Sequence, residues 1–220
     1  MKNFFKIKSK SHDYPNYWIA YDALFYEKKD VTLTKGKFVV FDTETTGFNF
    51  DEDRVLSIGA VGILDNEINI ADTLEIYISQ QYFNETTVPI HGILKNERIH
   101  TYTEKDALKK FLKYIGNSVL VAHHASFDVT MINQMLFRRG LPKLKNKVID
   151  TAHLYKKTRI RSNLIKQGHY SLDEIAENYA LDVSDRHTAA GDAFLTAIIF
   201  LKTTAILNKK KNFRIKNYLR

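Results

Sequence analysis

Apolar residues recur along this chain with two different periods, and the change from one to the other marks its elements. Lys37 to Thr43 carries an unbroken apolar run, Phe38 to Phe41, and reads as a strand. Val55 to Leu64 (VLSIGAVGIL) reads as a second strand and Ile68 to Ile78 as a third, with a turn at Asp65-Asn66 between them. The period then lengthens. Thr103 with Asp106 resembles a capping box, and Ala107, Leu108, Phe111, Leu112 and Ile115 follow as one apolar helical face that Gly116 can close. SVLVA (118–122) reads as a buried strand, and Phe127 to Arg139 as a helix ended by Gly140 with Pro142 just beyond. KVID (147–150) is a short strand. Ser171 with Glu174 forms a second capping box, opening a helix to about Ala180, and Thr188 to about Thr203 is the last long helix.

Three strands in a meander, then alternating helices and strands, predict an α/β domain built on a mixed five-stranded sheet flanked by helices. Residues 1–36 read as an N-terminal extension, 37–203 as the main domain and 204–220 as a basic tail. Within the extension, Trp18, Tyr21, Leu24 and Phe25 stand at helical spacing, which suits a helix packed on the main domain or one that binds a partner.

Composition narrows the class. The chain has 220 residues, 44% hydrophobic and 26% charged, enough for a sizeable core. It has no cysteine, which excludes disulfides and thiolate metal sites and leaves oxygen and imidazole as metal donors. The net charge of +8 suits a polyanionic partner, nucleic acid before membrane. MKNFFKIKSK is too broken by lysine to hold a signal-peptide core, and the longest helical apolar run, Ala193 to Leu201, is about half a membrane span. A soluble, cytoplasmic protein without membrane contact is expected.

The first strand ends in acid. In VVFDTETTGF, Asp42 and Glu44 are two residues apart, so their side chains share one face with Cα atoms about 6.6 Å apart at a rise of about 3.3 Å per residue. Two carboxylates so placed repel unless a cation lies between them, and their hard oxygens select Mg²⁺ or Mn²⁺. A polar turn after a strand would use the same residue types. VAHHASFD (121–128) places Asp128 at a helix start, where an acid is also favoured by the helix dipole alone. DRHTAAGDA (185–193) places His187 in the loop before the last helix and Asp192 in its early turns, with Ala189, Ala190 and Gly191 small enough for that helix to approach the sheet.

Taken together, FDTETTG, HHASFD and HTAAGD resemble the three exonuclease motifs of the DEDD superfamily in its histidine variant. The similarity extends to the epsilon proofreading subunit of bacterial replicative DNA polymerase and spans about residues 37 to 203. The tyrosine variant would need Tyr where this chain has Thr188. The resemblance implies a ribonuclease H-like fold and 3′→5′ exonucleolysis releasing nucleoside 5′-monophosphates. It implies that Asp42, Glu44, Asp128 and Asp192 bind two divalent metal ions and that His187 is the general base. It implies Thr45, Thr46, Gly47 and Phe48 at the terminal nucleotide, and His91, Gly92 and Ile93 near the penultimate base, where Ile93 serves equally well as core. The partners implied are 3′ ends of single-stranded DNA or RNA, with a polymerase subunit as a further option. A non-catalytic accessory module would be marked by a lost carboxylate or histidine, and all five are present.

One departure stands out. The family's second motif usually reads His-Asn, whereas this chain has His123-His124, which removes no metal ligand but alters a hydrogen-bonding position beside the substrate. Two basic segments also lack acid: 156–166, suited to guiding phosphates, and 209–220, suited equally to phosphate contact or to solvent.

Overall fold

The computed structural model describes residues 14–26, 36–80, 100–159 and 170–220. β1 (Phe38–Thr45), β2 (Val55–Leu64) and β3 (Glu67–Ile78) form the meander, each antiparallel to the next. Asp65 and Asn66 turn the β2–β3 hairpin with φ of 52° and 65°. Short side chains that bond locally make this left-handed pair affordable for Asp and Asn.

Among the described residues the sheet has six strands, where five were predicted, in the order β4-β3-β2-β1-β5-β6. The addition is β4 (Thr101–Tyr102), parallel to β3 and too short to leave a periodicity in the sequence. β5 (Val119–Ala122) lies parallel to β1, and β6 (Val148–Asp150) parallel to β5. The carboxyl ends of β1, β5 and β6 therefore open at one edge of the sheet, where ligand sites of α/β sheets form.

Helices cover both faces: α1 (Asn16–Ala23), α2 (Glu104–Ile115), α3 (Ser126–Phe137), α4 (Thr151–Lys156), α5 (Leu172–Asn178) and α6 (Ala189–Asn208). Ser171 and Glu174 form the full reciprocal capping box at α5, with bonds of 3.2 and 2.9 Å. At α2 only half of it forms. The Thr103 hydroxyl accepts from the Asp106 N–H at 3.2 Å and donates to its carboxylate at 2.7 Å, so Asp106 meets the hydroxyl of the cap in place of its backbone N–H. The α1 helix stops at Ala23, short of the predicted pattern. Its Trp18 and Tyr21 are buried in the same core as α2, and the Tyr21 hydroxyl donates to Asn146 Oδ1 at 2.6 Å and accepts from the Lys145 N–H at 2.8 Å.

Alternation along β1 assigns each residue to a face. Val39 and Phe41 enter the core with α2 and α3, where the Phe41 and Phe111 rings stand 5.5 Å apart. Phe38 and Val40 face α6, with the Phe38 and Phe200 rings 5.3 Å apart. α6 is longer than its predicted apolar run. At 20 residues and hydropathy 1.5 it is long and apolar enough to cross a membrane, yet 56% of that window is buried inside the protein, against β1 and β2. It is the central core helix.

Gly59 sets how closely α6 can lie. It pairs with Asp42 in the sheet register. A Cβ at Gly59 would stand 2.1 Å from the Ala189 carbonyl carbon and 2.2 Å from the Ala190 nitrogen, both backbone atoms that cannot rotate aside. The small residues opening α6 and this glycine thus meet face to face. Beyond α6, Phe213 and Ile215 return to the core, and a 3₁₀ turn (Ile215–Tyr218) leads Arg220 to a two-way backbone pair with Val148, at 3.1 and 2.9 Å.

Gly59→Ala is expected to lower stability by about 1–3 kcal/mol, the usual range for overpacking. It should also displace the N-terminus of α6, cutting the nucleolytic turnover that the resemblance implies by well over tenfold. Denaturant melts and a turnover assay on the same preparation check both; an unchanged turnover would show that the close approach is not needed for the chemistry.

Candidate active site

The even-numbered positions that point Phe38 and Val40 toward α6 also point Asp42 and Glu44 that way. Asp192 arrives in the first turn of α6, and the three carboxylates offer oxygens that all lie within 4.8 Å of one another. Asp128 comes from the opposite face, in the first turn of α3, and is only 3% exposed. Its Oδ1 accepts from the Thr43 N–H at 3.0 Å and the Thr43 hydroxyl at 2.7 Å, fixing the side chain against the strand between the other two acids. Thr43 is the odd-numbered residue that reaches this second face. One strand thus organises carboxylates from both layers.

Charge repulsion shows in the proton affinities. Burial, then the charges of Asp128, Asp192 and Glu44, hold Asp42 far above the usual carboxylate range. Burial, then Asp192 and Asp128, push Glu44 up to about 7. Burial pushes Asp128 up to about 7 against the opposing hydrogen bonds from Thr43. Arg186 is the cation that lowers both Asp42 and Glu44. Its guanidinium pairs with Asp192 and, at 2.6 Å, with Asp173 on α5. One guanidinium does not balance four carboxylates, and all the donors are hard oxygens. The set fits divalent ions of the magnesium class.

His187 lies at the exposed rim, in the left-handed region at φ 66°, and its N–H donates to Asp192 Oδ1 at 3.3 Å. The histidines after β5 divide. His123 turns inward, with Nδ1 2.9 Å from the Thr151 hydroxyl, and burial depresses it to about 4, so it is neutral at physiological pH. His124 is exposed, with φ 51° and its ring edge-on to His123 at 4.5 Å. Non-glycine residues are uncommon in this backbone region, and such positions gather at functional sites.

The turn after β1 is tied by Asp53. Thr46 is fully buried and donates to Asp53 Oδ1 at 2.6 Å, while Thr45 donates to the Gly47 carbonyl at 2.7 Å. A Cβ on Gly47 would stand 2.4 Å from the Asp53 carboxylate. Expected nucleotide contacts at Thr45 and Thr46 therefore fall on hydroxyls already committed to shaping the turn. Phe48 is 77% exposed, and with Phe50 it flanks Phe127 at 5.7 and 5.6 Å, an aromatic surface beside Asp128. His91, Gly92 and Ile93 lie outside the described residues. Arg186, Thr43, Gly59 and Phe127 escaped the sequence reading, although Arg186 and Phe127 each stand directly before a motif residue.

The family model for Exonuclease (RNase_T) matches residues 39–200. The chain belongs to the DEDD-superfamily exonucleases. It is 36% identical over 194 residues to the DNA polymerase III PolC-type of Caldanaerobacter subterraneus subsp. tengcongensis, and 30% identical over 178 residues to that of Staphylococcus aureus. These alignments take in 83% and 80% of this exonuclease but only 12% of either relative, so it spans about an eighth of their length. Among solved structures, E. coli exonuclease I in complex with a dT13 oligonucleotide superposes with a TM-score of 0.67 at 16% identity, over 80% of this exonuclease and 42% of that chain. The nuclease domain of 3′hExo, a DEDDh family member bound to rAMP, gives 0.63 at 17% identity, over 77% and 92%. Both share the fold, a six-stranded mixed sheet of ribonuclease H-like type in this exonuclease.

The raised carboxylates carry a pH consequence for the exonuclease in EDTA. Glu44 and Asp128 bind protons in the folded state up to about pH 7, whereas unfolded carboxylates release theirs near pH 4. Between those values the folded state holds more protons, so stability falls as pH rises through this window. The melting temperature in EDTA is expected to drop from pH 5 to pH 7.5, and Glu44→Gln should flatten that drop. Equal pH slopes for the two proteins would refute the assignment.

Proposed function

We propose that the exonuclease removes nucleotides singly from the 3′ end of single-stranded or frayed DNA, releasing nucleoside 5′-monophosphates. The observation that carries this reading is the convergence of Asp42, Glu44 and Asp192 within 4.8 Å, with Asp128 anchored beside them. The polymerase identity of the PolC-type relatives favours DNA over RNA, and proofreading or repair alongside a polymerase subunit in the cytoplasm fits that relationship.

In this reading the four carboxylates hold two divalent ions, Mg²⁺ or Mn²⁺. When bound, these supply the Lewis-acid charge that lets an anionic phosphodiester accept a nucleophile and release its 3′-oxygen. The chain's own groups do the rest. His187, exposed at the rim beside the acids, accepts the proton of the attacking water on its imidazole. The bond from its backbone N–H to Asp192 keeps it in register with the acids. The Phe48–Phe127–Phe50 surface offers a face on which the terminal base stacks, a contact worth about 1–3 kcal/mol and indifferent to sequence. Gly47 and the Thr45 and Thr46 turn hold Phe48 in place. His124, exposed beside His123, stands where it can meet the substrate. Catalysis is assigned to residues 37–203.

A 5′-labelled single-stranded DNA oligonucleotide with Mn²⁺ should shorten as a ladder from its 3′ end, and EDTA should abolish the ladder. Asp42→Ala should lose at least 10³-fold in rate, a loss of about 4 kcal/mol in transition-state stabilisation. Matched RNA cleaved faster than DNA would transfer the reading to an exoribonuclease. A stable 5′ label with internal fragments would mean an endonuclease instead.

A further inference from the structure

The second basic segment finds a partner in the fold. Lys156 and Lys157 end α4, and Arg159 follows. Across from them the chain beyond α6 folds back, and Lys210 Nζ donates to the Lys157 carbonyl at 2.8 Å. Together with Asn212, Phe213 and Tyr218 these residues line a surface groove of about 370 Å³ in which, among the described residues, no carboxylate takes part. Arg159 lies over the Tyr155 ring at 4.7 Å and donates to Asn178 Oδ1 at 2.6 Å, which holds its charge in a fixed place. Asp150, at the start of α4, is engaged: it caps the helix and faces Arg220 at 3.9 Å. The surroundings are positive enough that Arg220, Lys157 and Lys156 all add to the burial that depresses His153.

The groove is also connected to the site. α4 starts at Thr151, whose hydroxyl meets His123 of the second motif, and carries the chain about 7.5 Å to Lys156 at 1.5 Å per residue. We propose that this groove, built by the end of α4 and the returning C-terminal segment, is a binding tract for the sugar–phosphate backbone of the nucleic-acid strand upstream of its 3′ end. Resting on the exonuclease reading, the proposal adds a contact that only strands longer than a few nucleotides can make. Lys156, Lys157 and Lys210 bind phosphates through charge, and Tyr218, half-exposed at the groove wall, gives the strand a flat apolar edge.

The test compares long and minimal substrates in the full chain carrying Lys156→Gln, Lys157→Gln and Lys210→Gln together. Binding of fluorescein-labelled dT20 is followed by anisotropy in EDTA across a salt series. Hydrolysis of the p-nitrophenyl ester of thymidine 5′-monophosphate with Mn²⁺ reports the catalytic centre alone. The variant is expected to bind dT20 at least tenfold more weakly and to lose about 2 from the salt slope, at about 0.7 per neutralised contact on a single strand. Ester hydrolysis and the melting temperature should stay at wild-type values. An unchanged dT20 affinity and slope, or an equal loss on dT20 and the ester, would overturn the tract. Should the wild type bind dT20 through these lysines yet hydrolyse neither substrate, the tract would stand and the exonuclease reading would fall.

Discussion

The close approach of α6 to the sheet is the constraint from which the site follows. A carboxylate on a helix can share a cation with carboxylates on a strand only if the two backbones nearly touch. Here they do, because Gly59 lacks the Cβ that would collide with Ala189 and Ala190. The same closeness puts the like charges together, and the fold accepts their repulsion because hydrophobic contacts elsewhere along the helix, such as Phe200 against Phe38, hold the two layers in place. Packing at one end of α6 thus sustains strain at the other.

Arg186 completes this balance. It reaches from the loop before α6 to acids on two helices, Asp192 and Asp173, and largely escapes solvent. An arginine so placed ties the third motif to α5 while lowering the charge that Asp42 and Glu44 experience. Its planar fork can satisfy two carboxylates at once, which a lysine would not do with the same geometry.

Much of this was legible in the sequence. The two-residue spacing of Asp42 and Glu44 placed them on one face, and the capping box at Ser171 formed in full. The helix boundary at Gly140 was equally readable, since its φ of 66° favours a residue without a Cβ. What stayed hidden depends on residues far apart in sequence. Gly59 reads as one more small residue in an apolar run until its register opposite Asp42 is known. Nothing in the sequence shows that the hydroxyls of Thr45 and Thr46 bond to Gly47 and Asp53. β4 has two residues, below the length at which any alternation can be counted. The basic C-terminal residues hide Phe213 and Ile215, two apolar anchors too few to form a pattern.

The return of the chain to Val148 bears on solubility as well as shape. Among the described residues β6 is the last strand on its side of the sheet, and an outer strand with free N–H and C=O groups invites a strand from a neighbouring molecule. Arg220 occupies both groups of Val148 and brings a positive charge to the rim. The opposite rim is closed by brevity, for β4 offers two residues where a foreign strand would need several. A sheet finished in this way gives other copies of the chain little to template on, even at the concentrations where exposed strands begin to aggregate.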